Sequence, residues 1–150
     1  MARFAILLAA LLIVWPNPQG SRAESEPVEP DLEVARRAML EAVEQEAALA
    51  REVTGIAALD RRVLEAMERV PRHLFLPEAL RRFAYLPRPL PVWQGQNTAS
   101  PYLVALMTHL AEIKPGDRVF ETGTGAGYHA AILAELGARV FSLEDRKSVV

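Results

Sequence analysis

Val119-Phe-Glu-Thr-Gly-Thr-Gly-Ala-Gly-Tyr128 is the stretch that decides how this chain folds. A short apolar strand, Arg118–Phe120, runs into the acid Glu121, and glycines follow at 123, 125 and 127. An apolar helix then extends from about Tyr128 to Leu136. A glycine-rich turn between strand and helix lets a ligand rest against bare backbone, with the positive end of the helix aimed at it. The spacing narrows the ligand. A dinucleotide site needs G-x-G-x-x-G, and Tyr128 stands where the third glycine belongs. An ordinary tight turn is the competing reading of this loop.

A second acid adds to the first. Gly137 reads as the helix stop and Ala138–Leu143 (ARVFSL) as a second strand that ends in Glu144-Asp145. An acid about 20 residues past the glycine loop, at the end of the next strand, is placed to accept hydrogen bonds from both ribose hydroxyls of a ligand. Glu144 is the expected residue, with Asp145 as fallback.

The composition sets outer bounds. The chain has 150 residues, 51% hydrophobic and 24% charged, which suits one globular domain at most. A formal charge of −2 gives no basic footprint, so nucleic acid is not an expected partner. With no cysteine and no clustered histidines, neither a disulfide nor a metal site is expected. A monomer is expected.

The N-terminus differs in character. Arg3 precedes the unbroken apolar run Phe4–Trp15, which Pro16, Pro18 and Gly20 then break. Ser21-Arg-Ala23 gives a small-x-small pattern suited to signal peptidase. Residues 1–23 therefore read as a secretory signal peptide, short in its 12 apolar residues for a bilayer span of about 20, with an uncleaved anchor as the alternative. The expected location is outside the cytoplasm, in a periplasm, or the cytoplasm if the leader is not used. No stable membrane span is expected after cleavage.

Residues 24–31 (ESEPVEPD) form an acidic, proline-containing linker. A helix is predicted from about Leu32 to Glu52, with Leu32, Ala35, Met39, Ala42, Val43 and Ala47 on one face. Asp60 caps Arg61–Arg69, whose Val63, Leu64 and Met67 make an apolar stripe, and Val70-Pro71 ends it. Pro77 opens a predicted helix over Glu78–Tyr85, and the prolines at 87, 89 and 91 make the next stretch extended. Ser100-Pro101 caps a helix over Tyr102–Ile113, and Lys114-Pro-Gly-Asp117 turns into the first strand. His73 and His109 are assigned to helix or loop surfaces, and Trp93 is read as a hydrophobic plug. Residues 32–113 thus form an N-terminal helical segment, and residues 114–150 begin a doubly wound α/β sheet. Two strands cannot complete such a sheet, because their edges and one face stay unpaired. The chain is therefore expected to be the first portion of a longer domain or a truncated product, its sheet stopping after the second strand.

The acid two positions before G-x-G-x-G resembles motif I of the class I S-adenosylmethionine-dependent methyltransferases. That likeness implies a Rossmann-like sheet, with Glu121 orienting the ammonium of the methionine moiety and loop amides near its carboxylate. It also implies that Gly123, Gly125, Gly127 and Tyr128 line the cofactor, with Glu144 at the ribose. Further segments point to one family. Val70-Pro-Arg-His-Leu-Phe-Leu-Pro77 is similar to the V-P-R-x-x-F-x-P signature of the protein-L-isoaspartate (D-aspartate) O-methyltransferases. Arg88-Pro-Leu-Pro91, Gly95-Gln96, Pro101-Tyr-Leu-Val-Ala-Leu-Met107 and Leu110–Val119 extend the likeness over roughly residues 49–144.

The resemblance implies a repair enzyme that methylates the free carboxylate of isoaspartyl residues in damaged proteins and peptides. The ester then collapses to a succinimide, which reopens partly as normal aspartate. A carboxylate is already ionised near neutral pH, so no general base is required. In-line positioning and exclusion of water suffice. The family reads G-Q-T-x-S-x-P-Y across its substrate loop, with the serine at the methyl-transfer site. This chain reads Gly95-Gln-Asn-Thr-Ala-Ser-Pro-Tyr102, which sets Ala99 at the serine position. Either the loop presents Thr98 or Ser100 instead, or the hydroxyl is missing. Thr98 and Ser100 are the candidate catalytic residues, although capping is the simpler role for Ser100. The alternatives are a class I methyltransferase with another substrate, and a non-catalytic exported relic of the fold. An exported enzyme would also need a supply of a cofactor that is made in the cytoplasm.

Overall fold

The computed structural model describes residues 31–92 and 95–145. The leader, nearly all of the acidic linker and Trp93 lie outside the described residues.

Among the described residues, five α-helices and two strands are built from locally encoded signals. Asp31 caps α1 (Leu32–Leu49), its carboxylate accepting from the amides of Glu33 and Val34. Met39, Val43 and Ala47 recur every fourth residue, and they form the buried face of that helix. The expected helix to Glu52 breaks at Ala50, and a separate turn, α2 (Arg51–Thr54), ends at the left-handed Gly55. The physical reason is the lack of any buried side to hold the continuation: Leu49 and Val53 are both exposed.

Asp60 caps α3 (Arg61–Arg69) by accepting from the Arg62 amide at 2.8 Å, and Val63, Ala66 and Met67 face inward. After Pro71 the chain makes two 3₁₀ segments, Arg72–Phe75 and Glu78–Phe83. The second replaces the α-helix expected over Glu78–Tyr85. None of its six residues is buried, so no apolar stripe favours an α-helical period there. Ser100 caps α4 (Pro101–Leu110), accepting from the Leu103 amide at 3.1 Å, with Pro101 at the first helical position. That helix stops at Leu110 rather than Ile113. Glu112 turns left-handed at φ 47°, which carries the Ile113 side chain back into the core.

Strands β1 (Arg118–Thr122) and β2 (Arg139–Leu143) pair in parallel, with α5 (Tyr128–Glu135) crossing between them. β1 runs two residues beyond the expected Phe120, so that Glu121 lies inside the strand. Glu121 pairs with Ser142, and Phe120 with Phe141. Alternation puts Val119, Glu121, Val140 and Ser142 on the half-buried face, while Phe120, Phe141 and Leu143 are exposed on the other. The turn entering β1 is fixed by Lys114 N donating to Asp117 Oδ2 at 2.8 Å and by Gly116 N donating to Gly137 O at 2.9 Å. Gly137, at φ 90°, lies so near this turn that an added Cβ would sit 3.1 Å from Pro115 Cα.

The core joins the two halves of the chain. Met39 and Val43 of α1, Met67 of α3, Val104 of α4 and Ile132 of α5 belong to one buried cluster. Each such side chain contributes about 1.5–3 kcal/mol on burial. The helical segment thereby holds the two-stranded sheet, and a cleft lies between the loop before α4 and the glycine loop after β1. Among the described residues no helix is long and apolar enough to cross a membrane.

Candidate functional site

The cleft has a volume of about 350 Å³. The glycine loop and Glu121 form one wall, and Asn97, Thr98 and Ala99 form the opposite one. Of the residues singled out from sequence, Thr98, Glu121, Gly123, Gly125, Tyr128 and Glu144 all border this space. Gly127 and Ser100 do not. Gly127 serves instead as the left-handed residue before α5, and Ser100 spends its hydroxyl oxygen on the cap of α4.

The loop satisfies most of its own amides. Gly123 N and Thr124 N both donate to Leu143 O, and Gly127 N donates to Thr124 O. Gly125 N donates to Glu144 Oε2 at 2.7 Å. The bare row of amides expected for a ligand carboxylate is thus reduced, because the end of β2 lies close enough to take these donors. Gly125 stands at φ 55°, and an added Cβ would meet nothing within 4 Å. Its free side borders the cleft.

Glu121 is the centre of a polar cluster. Ser142 Oγ donates to its Oε2 at 2.5 Å, and Thr124 Oγ1 is hydrogen-bonded in turn to Ser142 Oγ. Its Oε1 lies 3.1 Å from His129 Nδ1. The other ring nitrogen of His129, Nε2, lies 3.1 Å from Thr108 Oγ1 of α4. Burial pulls the His129 pKa below the ordinary imidazole value, and the Glu121 carboxylate works against that shift.

Arg72 is 2% exposed and has no carboxylate within ion-pair distance among the described residues. Its Nε donates to Ala84 O at 2.9 Å, and its Nη2 donates to Thr98 Oγ1 at 3.1 Å and Ala99 O at 3.2 Å. The guanidinium lies 4.9 Å from the centre of the Tyr128 ring, which meets Phe75 edge-on. Carbonyls and a π-face thus stand in for a counter-ion. Burial lowers the Arg72 pKa from its ordinary value. Tyr128 is itself buried, which pushes its phenol up to about 12, and its hydroxyl has no partner among the described residues.

Thr98 Oγ1 accepts a second bond from Leu90 N at 3.0 Å, and Thr98 N donates to Leu90 O at 2.8 Å. With two N–H donors on the oxygen, the hydroxyl proton is what remains to offer the cleft. Sequence reasoning missed the roles of Arg72, His129, Thr108 and Ser142. The nearest cues were the arginine inside V-P-R and the polar residue following Tyr128.

His73 and His109 are half-buried and hydrogen-bonded, not surface groups. His73 Nδ1 lies 2.9 Å from Tyr85 Oη, and His109 Nδ1 accepts from Asp60 N at 3.0 Å. His109 is drawn in because α3 and α4 pack on one another, and His73 by its contact with Tyr85.

A glycine loop between parallel strands, with an acid on the first strand and another after the second, defines the Rossmann-like fold of the class I methyltransferases. Two solved structures share this fold. A putative protein-L-isoaspartate O-methyltransferase from Plasmodium falciparum, in complex with S-adenosyl-L-homocysteine, superposes with a TM-score of 0.57 and 23% identity, over 75% of this chain and 50% of that one. A second protein-L-isoaspartate O-methyltransferase gives 0.56 and 22%, over 73% and 33%. The profile of the protein-L-isoaspartate(D-aspartate) O-methyltransferase family matches residues 44–150, and the chain belongs to that family. A protein-L-isoaspartate O-methyltransferase of Methanoculleus marisnigri is 58% identical over 85 residues, which are 57% of this chain and 39% of that protein. One from Cupriavidus necator is 41% identical over 139 residues, 93% of this chain and 51% of that protein. The chain spans about half the length, or less, of these relatives.

Proposed function

We propose that this protein transfers the methyl group of S-adenosylmethionine to the free carboxylate of L-isoaspartyl or D-aspartyl residues in damaged proteins. The observation that carries the reading is one cleft shared by Glu121, Gly125 and Glu144 on the cofactor side and by Thr98 on the substrate side. In this reading Glu121 attracts the ammonium of the methionine moiety, and Glu144 takes the ribose hydroxyls, releasing the Gly125 amide. The Thr98 hydroxyl donates to the substrate carboxylate. One carboxylate oxygen attacks the methyl carbon, the carbon–sulfur bond breaks, and S-adenosylhomocysteine leaves as a neutral thioether. The nucleophile is already an anion, so orientation and dryness supply the catalysis. Residues 114–150 form the beginning of the cofactor domain in this reading, and residues 32–113 carry the substrate loop.

We also propose that residues 1–23 direct export, so that the mature protein begins at Glu24. Intact mass from the exported fraction tests this, and an uncut leader there would refute it.

The function is tested with two measurements on the same preparation. Calorimetry with S-adenosylmethionine and S-adenosylhomocysteine should show one site. Labelled methyl should then pass to an isoaspartyl peptide and not to its aspartyl twin. Absence of binding would overturn the reading. A second reading, binding without transfer, is favoured by Ala99 at the family's serine position and by the use of Ser100 as a cap. Saturable binding with no methylated product would select it.

A further inference from the structure

The contacts of His129 bear on where its hydrogens lie. Thr108 Oγ1 lies 2.7 Å from Val104 O, which can only accept, so the threonine proton goes there. Thr108 Oγ1 is therefore an acceptor toward His129 Nε2 at 3.1 Å, and that nitrogen must carry a hydrogen. On the other side, Nδ1 faces Glu121 Oε1 at 3.1 Å. The second oxygen of Glu121 already receives the Ser142 hydroxyl. A bare Nδ1 leaves two electron-rich atoms 3.1 Å apart, and in mild acid a hydrogen on Nδ1 turns that repulsion into attraction. Histidine and glutamate together then hold one proton more than a neutral ring beside a carboxylate.

We propose that Glu121 and His129 form a proton-carrying pair that is neutral overall when the cleft is empty, and that a ligand ammonium engaging Glu121 takes the place of that proton. The inference rests on the reading of Glu121 as the acid that meets the cofactor ammonium. A cation arriving at Glu121 must compete with the imidazolium for Oε1, and two positive groups on one carboxylate repel. The ring resolves this by losing Nδ1–H, and the ligand substitutes for it with no net gain of charge in the site.

The surroundings leave His129 as the group that answers. Glu121 on β1 is the charged group against its ring, while Thr108 on α4 and Ser142 on β2 do not titrate in this range. Arg69 of α3 is paired with Glu135 at the other end of α5, and Arg72 is turned to the Tyr128 ring. The pair thus favours ligands with a positive amino group at this end, and affinity for them falls as acid restores the proton.

The test is calorimetry of S-adenosylhomocysteine binding near pH 5.5 in two buffers of different ionisation enthalpy, on the full chain. The expected result is release of up to about one proton per ligand, fading as the pH rises toward 7. His129→Gln should bind with no such release, since glutamine keeps a hydrogen-bonding amide without titrating. Binding by the unaltered protein with no proton release would overturn the inference and leave the cofactor reading standing. No binding at any pH would overturn both.

Discussion

Arg72 Nη2 donates to Thr98 Oγ1 across 3.1 Å, so a buried cation sets the direction of the hydroxyl at the cleft. The same guanidinium ties Ala84 O and Ala99 O and covers the Tyr128 ring, which joins three separate segments of chain. Lysine cannot reproduce this fork. Arg72→Lys should lower unfolding stability by roughly 2–4 kcal/mol, at about 1.5–3 kcal/mol for each charged hydrogen bond lost. Urea unfolding measures it, and stability within about 0.5 kcal/mol of the parent would show that the bonds carry little.

Thr98 and Ser100 should separate cleanly. Thr98→Ser keeps the hydroxyl and should keep turnover, whereas Thr98→Val should lose at least about tenfold, the worth of one hydrogen bond to an anion. Ser100→Ala should cost about 1 kcal/mol of stability through its lost cap and leave turnover near the parent's. A large loss of turnover in Ser100→Ala at an unchanged melting temperature would reverse the assignment.

Gly125 offers a steric test of the ligand site. An added side chain meets no protein atom within 4 Å, so it projects into open space beside the cleft. Gly125→Val should weaken cofactor binding by about a hundredfold or more, with a further 1–2 kcal/mol of backbone strain at φ 55°. Gly125→Ala carries the strain with less bulk and should retain more affinity. Equal affinity in all three proteins, read by calorimetry, would detach this loop from the cofactor.

Stability should decline in mild acid. Burial, and then the charges of Arg36 and Arg81, hold the His73 pKa below its ordinary value of 6.5. The unfolded chain therefore takes up a proton first as pH falls, and the stabilisation present above about pH 6.5 is lost through the window below it. His129, lowered by its own burial, acts in the same direction. Melting temperatures between pH 7.5 and about 5 should fall for the parent and fall less for His73→Gln. A parallel decline in both would assign the effect elsewhere.

The close turn at Gly137 gives a test of the fold itself. Gly137→Ala adds a Cβ 3.1 Å from Pro115 Cα at φ 90°, and neither backbone can easily retreat. A loss above roughly 1 kcal/mol is expected, while an unchanged midpoint in thermal unfolding would mean the turn relaxes freely.

The parts of this architecture that were legible in the sequence are local. Asp60 and Ser100 cap the helices their positions suggest, and the strand–glycine–helix–strand unit lies where the motif put it. Those signals need only a few neighbouring residues. The break at Ala50 was hidden, because it depends on which residues find a core, and Leu49 and Val53 find none. The site was legible as a list of walls but not as a network. Arg72 meets Thr98 only once the loop before α4 packs against the 3₁₀ turn, and His129 meets Glu121 only once α5 crosses β1. Tyr128 illustrates the limit: its place beside the glycines was evident, but its buried hydroxyl and the cation above its ring were not.

The contact between Glu121 and Ser142 also bears on how the chain assembles. The two residues are direct partners in the parallel ladder, on the face turned toward the helices. A slip of one residue would bring Phe141 or Leu143 opposite the acid and turn Ser142 outward. The carboxylate would then be left against apolar surface without its donor. Ser142 is in this sense a proofreading mark, since only the correct alignment of the strands satisfies the acid. Misaligned chains are rejected through the same carboxylate that borders the cleft.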